Sequence, residues 1–206
     1  MTPRPFVRET AVAAPLPAAN VDTDQILPAR FMQRERAAGF GGQLFHDRRF
    51  RPDGAPRPEF VLNRPEFAGA RILVAGPNFG CGSSRESAVY ALADFGIRAV
   101  IAPGFGDIFH GNALKNGLIP VTLPERVVAD LQARLAAGPD RQVTVDLEAQ
   151  RVTLPGGAQH PFVVDAFWRE CILKGVDEIE LTRGFLAEIE AFEREYERAH
   201  PWVVVK

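Results

Sequence analysis

The central third of the chain carries the clearest rhythm of apolar and polar positions. RILVAG, residues 71 to 76, is a short apolar, β-branched run ending in glycine, and it predicts a buried strand. A Gly/Asn/Cys/Ser turn follows. SRESAVYALADFG then places Ala88, Leu92 and Phe95 on one helical face and stops at Gly96. RAVIAP (98 to 103) predicts a second strand, GDIFHGNALKNG (106 to 117) a second helix closed by Gly117, and LIPVTL (118 to 123) a third strand. PERVVADLQARLAAG (124 to 138) reads as a helix with proline near its first turn and glycine after its last. Strands alternating with helices imply parallel strands with helices on the sheet faces.

Beyond residue 140 the period changes to two. QVTVDLEAQRVTLPGGAQHPFVV (142 to 164) alternates polar and apolar residues, with turn signals at Glu148–Gln150 and Gly156–Gly157, and predicts hairpins or a meander. DAFWRECILKG (165 to 175) is a helix with an Asp cap and a Gly stop, and residues 177 to 199 read as one largely helical, acidic segment. That acidic helix reads first as a solvated amphipathic face, with docking of a partner as the alternative. The first seventy residues are less regular, rich in proline and glycine.

Composition adds bounds. The 206 residues are 46% hydrophobic and 24% charged, enough for a sizeable core, and a single domain over 1–206 is expected. A formal net charge of -2 gives no general attraction to nucleic acid or anionic membrane, so anion recognition must be local. No apolar run is long enough to span a bilayer, and MTPRPFVRET lacks the apolar centre of a signal peptide, so a cytoplasmic location is expected. Two cysteines, Cys81 and Cys171, cannot supply the usual ligands of an iron–sulfur cluster. The four histidines show no metal spacing, so no metal site is expected on this chain.

NFGCGSSRES (78 to 87) concentrates the chemistry. A Gly-rich turn between a buried strand and a helix is where an α/β sheet usually binds its ligand, and the unpaired amides of a helix start attract anions. Gly80 and Gly82 allow close backbone approach, Ser83 and Ser84 bring hydroxyls, and Arg85 brings a planar fork suited to a carboxylate or phosphate. The plainer reading is a turn in which Ser83 or Ser84 caps the helix. Arg85 argues against that alone, because the helix dipole disfavours a cation in the first turn. The stretch is neither a Walker loop nor a dinucleotide fingerprint. Cys81 reads as a buried structural cysteine before it reads as a nucleophile. In NVDTDQILPARF, Asp22 and Asp24 would face one side of an extended strand; the alternative is an Asx-type turn with Thr23 as cap.

NVDTDQILPARF (20 to 31), NFGCGSSRE (78 to 86), IAPGFGDIFHGNALKNGLIPV (101 to 121) and TVDLEAQ (144 to 150) together resemble the small subunits of 3-isopropylmalate dehydratase, in the aconitase superfamily. The likeness runs from about residue 5 to 190. It implies an α/β fold of the aconitase swivelling-domain type, three layers β/β/α with a mostly parallel central sheet. It implies a large-subunit partner that carries a four-iron, four-sulfur cluster, and a malate-type dicarboxylate substrate. By the same resemblance Ser83 and Arg85 are the catalytic pair, the serine as base and the arginine as carboxylate anchor. Gly82, Ser84 and Asp24 line the substrate, and Arg30, Phe31 and Met32 belong to a substrate-recognition loop at about 28–42. For Phe31 and Met32 the plainer alternative is core packing.

The chain departs from the family pattern at Ser87, where histidine is usual, at Gly104, where many members have serine, and at Ala37, where arginine is usual. These positions flank the substrate and leave the Ser–Arg pair intact. They keep open a paralogue acting on dimethylmalate, citramalate or a homoaconitate-type acid, and a non-catalytic anion-binding module.

Overall fold

The structure, a computed structural model, describes residues 4–33, 35–83 and 85–203. In chain order it contains strand β1 (Arg8–Leu16), helices α1 (Thr23–Ile26) and α2 (His46–Arg49), strand β2 (Ile72–Ala75), helix α3 (Glu86–Phe95) and strand β3 (Ala99–Ala102). Helix α4 (Asp107–Lys115), strand β4 (Ile119–Thr122) and helix α5 (Glu125–Ala137) follow. Three more strands come next: β5 (Gln142–Asp146), β6 (Arg151–Thr153) and β7 (Gln159–Pro161). Helices α6 (Ala166–Lys174), α7 (Glu178–Arg183) and α8 (Leu186–Ala199) complete the order.

The seven strands form one mixed sheet in the order β4-β3-β2-β1-β5-β6-β7. Strands β1 to β4 are parallel, and β5 to β7 are antiparallel. Strand β1 changes partner along its length. Arg8 to Val12 pair with β5, and Ala13 to Leu16 pair with β2.

Side chains sort by the period-2 rule. Leu73, Ala75, Val100 and Ala102 enter a core with α3, Phe79 and Phe109. Ile72, Val74, Ala99 and Ile101 enter a second core with α5, α6 and the inner faces of β5 and β6. The four parallel strands are therefore covered on both faces, which explains their uninterrupted apolar runs. Helices α3 and α4 cover one face, while the antiparallel strands and α5 share the other. This is the mixed α/β arrangement, largely parallel at its centre, that the resemblance implied.

Several expectations need correction. Strand β1 lies inside the stretch read as irregular. Its alanine-rich sequence, RETAVAAPL, holds only two β-branched residues in nine, Thr10 and Val12, a weaker signal than the runs of β2 to β4. The acidic segment is two helices, broken at Gly184 and Phe185. Cys81 is half-buried rather than buried. The expected Asp165 cap and Gly175 stop both form: Asp165 accepts from the Phe167 amide, and Gly175 sits at φ +68°. No helix among the described residues is long and apolar enough to cross a membrane.

Candidate active site

The carboxyl ends of β1, β2 and β3 open into three segments that continue the parallel order as irregular chain. The Gly80 amide donates to the Val21 carbonyl (2.7 Å), and the Thr23 amide donates to the Cys81 carbonyl (3.0 Å). On the other side, the Phe79 amide donates to Gly104 and the Gly106 amide donates to Phe79. Residues 79 to 82 are thus threaded between the exits of β1 and β3. Space there is short. A Cβ on Gly80 would lie 2.2 Å from the Phe109 ring, and one on Gly106 would lie 2.6 Å from the Gly80 carbonyl oxygen. Gly80 and Gly82 both have positive φ, +73° and +93°, which glycine adopts at least cost.

Beyond this threaded segment the chain reaches Ser83 and Arg85. Ser83 is exposed, and its carbonyl accepts from the Thr23 hydroxyl at 3.1 Å. Arg85 occupies the N-cap position of α3, and its own side chain makes no cap hydrogen bond. Ser83 is not the N-cap residue, and the other expected cap, Ser84, lies outside the described residues; Glu86 accepts from the Asn116 side chain (2.8 Å). The start of α3 therefore presents backbone amides and a guanidinium together, a setting for an anion. Asp24 makes a close ion pair with Arg85 and also accepts from the Ala29 amide.

The two aspartates do not line one face of an extended strand. Asp22 ends the extended segment and caps α1 by accepting from the Gln25 amide at 2.7 Å, so it is Asp22, not Thr23, that forms the cap. Asp24 falls in the first turn of α1 and reaches the Arg85 side. Neighbouring residues of a four-residue helix thus hold Ser83 and Arg85 separately.

The 28–42 loop is tied down at both ends. Arg30 forks onto Asp47 and packs over the Phe31 ring at 4.6 Å. Arg30 and His46 hydrogen-bond to Asp47 and hold its carboxyl at about 2, well below the usual carboxylate range. Phe31 is half-buried, with its ring centroid 4.7 Å from that of His46, whereas Met32 is 41% exposed. At the other end Arg36 forks onto Asp94 of α3 and covers Tyr90, while the Phe40 amide donates to the same carboxylate. Sequence reading missed His46, Asp47, Tyr90 and Asp94, and it read Thr23 only as a turn cap. The Asp94 and Tyr90 positions had a signal: with Glu86 they recur every four residues along α3.

Among the described residues no group of three His, Cys, Asp or Glu side chains is placed to hold a metal ion. Cys81 lies beside the Asp22 backbone, while Cys171 is buried in α6.

The family model described as Aconitase C-terminal domain matches residues 4–126, and the model described as LeuD_N matches residues 129–166. The chain is 49% identical over 198 residues to the 3-isopropylmalate dehydratase small subunit of Cereibacter sphaeroides, covering 96% of this chain and 98% of that one. It is 51% identical to the protein of the same name from Rhodospirillum centenum, with 97% and 98% covered. For the one from Chloroflexus aurantiacus the identity is again 51%, with 93% and 94% covered. The crystal structure of 3-isopropylmalate dehydratase from Methanocaldococcus jannaschii superposes with a TM-score of 0.65 at 25% identity, over 90% of this chain and 99% of that one. Matched in sequence along nearly its whole length and in its α/β architecture, the chain belongs to the hydro-lyase family of 3-isopropylmalate dehydratase small subunits, within the aconitase superfamily.

Proposed function

We propose that this chain joins a cluster-bearing large subunit in the cytoplasm and that together they isomerise 2-isopropylmalate to 3-isopropylmalate. The reaction removes water to give an alkene and adds it back at the neighbouring carbon. The observation that carries this reading is the joint placement of Ser83 and Arg85 at the start of α3, each held by α1.

In this reading Ser83 Oγ, as the alkoxide, takes the carbon-bound proton, and the adjacent C–OH bond breaks as the double bond forms. Ser83 returns the proton to carbon on rehydration. A serine is a weak base unless its anion is stabilised, and Arg85 with the helix-start amides supplies that field. Arg85 also forks onto a substrate carboxylate, with Gly82, Asp24 and Ser84 bordering it. Arg30, Phe31 and Met32 face the substrate's side chain. The partner's four-iron, four-sulfur cluster, when bound, supplies a Lewis acid for the departing hydroxyl. This chain is a poor host for such a cluster, since its two cysteines lie in separate parts of the fold.

The test mixes the chain anaerobically with the large subunit of the same organism and follows alkene absorbance. Turnover of 2-isopropylmalate in preference to citramalate, dimethylmalate and homocitrate supports the reading. Preference for another acid keeps the mechanism and changes the substrate. No turnover from a verified complex favours the anion-binding module.

A further inference from the structure

Among the described residues Thr23 is the one polar residue in the buried interior, at 2% exposure. Its surroundings explain why a hydroxyl is there. The segments 21–23 and 79–83 run side by side as a short parallel ladder, with Gly80 donating to Val21 and Thr23 donating to Cys81. The next rung donated by the first of these segments in a parallel ladder would come from the amide of residue 25 and end on the Ser83 carbonyl. That amide is already engaged, because the chain has turned into α1 and Gln25 donates to Asp22 at 2.7 Å. The Thr23 hydroxyl donates to the Ser83 carbonyl instead, at 3.1 Å. A side chain thus supplies the rung that the helix has taken away.

We infer that Thr23 is a positioning residue for Ser83. The bond fixes the direction of the Ser83 carbonyl, hence the backbone torsion that aims Ser83 relative to the start of α3. Ser83 itself is exposed, and Gly82 before it has no side chain of its own, its Cα side facing Asp22 and the Thr23 hydroxyl. The methyl and backbone of Thr23 are buried with α1, so the hydroxyl is anchored on the fixed side of the pair. This inference rests on the assignment of Ser83 as the base.

The test uses the assembled complex. Thr23→Val keeps the shape and removes the donor. Its kcat should fall roughly 10- to 100-fold, as expected for a misplaced catalytic group. KM should stay within about threefold, because carboxylate binding through Arg85 is untouched. Thr23→Ser keeps the donor and should retain most of the wild-type kcat. In a Ser83→Ala background, Thr23→Val should cost little more, since its effect passes through Ser83. Wild-type kcat in Thr23→Val overturns the inference. So does a Thr23→Ser variant as impaired as Thr23→Val, which would make methyl packing the cause and would still decide the matter should Thr23→Val fail to assemble. Wild-type turnover in Ser83→Ala alone would instead sink the assignment of the base.

Discussion

Asp24 and Arg85 stand 61 positions apart in sequence and meet as an ion pair at the start of α3. More than half of the Asp24 side chain stays exposed while Arg85 is largely covered, so the pair orients the arginine more than it stabilises the fold. Exposed pairs of this kind contribute about 0–1 kcal/mol. Asp24→Asn should therefore leave Tm nearly unchanged. It should lower kcat/KM about tenfold, the loss of one charge-assisted hydrogen bond at the site. Steady-state kinetics beside a thermal melt separates the two effects, and a large Tm drop with normal kcat/KM would reverse the argument.

Arg85→Lys keeps the charge and loses the fork. Lysine is a point charge and cannot take a carboxylate with two parallel N–H groups. KM should rise and kcat should fall together, and titration of a dicarboxylate inhibitor into the complex should show correspondingly weaker binding. Unchanged kinetics would remove Arg85 from the site.

Phe31 and Met32 differ in how far they are committed to the interior. Phe31 leans on His46 and the core, and Met32 is free at its tip. Met32→Ala should alter the ratio of kcat/KM values among malates without loss of stability. Phe31→Ala should change the same ratio and also destabilise, by up to about 3 kcal/mol as for a partly buried aromatic. Ratios that stay constant across substrates would take both residues out of recognition.

Asp47 sets the pH range over which the loop is anchored. A carboxyl depressed in the folded chain adds stability above its unfolded value, about 3.9. That contribution disappears as pH falls through the folded value, about 2 for Asp47. Activity between pH 6 and 9 should be indifferent to this group, whereas Arg30 loses its partner in strong acid. Acid-unfolding curves of the wild type and Asp47→Asn should differ near neutrality and converge toward pH 2.

Gly80→Ala meets the Phe109 ring at 2.2 Å and adopts a positive φ. Overpacking and backbone strain each cost about 1–3 kcal/mol. The variant should lose at least that much stability in urea titration, with the Phe79, Phe105 and Phe109 ring cluster disturbed first. A wild-type midpoint would mean the threaded segment yields more readily than its contacts suggest.

The alternation of strand and helix from residue 71 to 138 was readable because parallel strands buried on both faces become short apolar runs with glycine ends. The loop around Ser83 and Arg85 stood out as a candidate because small residues and a cation share it, while the roles proposed for the two rest on the resemblance. What was not readable depends on long-range geometry. Nothing local in RETAVAAPL tells that Thr10 faces Thr144. TDQI is too short for a helical period, so its role as a two-sided holder of Ser83 and Arg85 appears only when residues 79 to 83 lie beside it. The Arg30–Asp47 and Arg36–Asp94 pairs likewise close over 17 and 58 positions.

The divided pairing of β1 has a consequence for how the chain is made. The half that pairs with β2 finds its partner within about sixty residues, Ala13 against Ile72. The half that pairs with β5 waits for residues 142 to 146, with Thr10 and Thr144 separated by 134 positions. During synthesis the parallel layer and the Ser83 loop can close while residues 8 to 12 still expose an unpaired edge. Such an edge seeks any available strand. The last third of the chain carries the strands that cover it, so an interrupted or slowed translation should leave a product with a formed site and an aggregation-prone border.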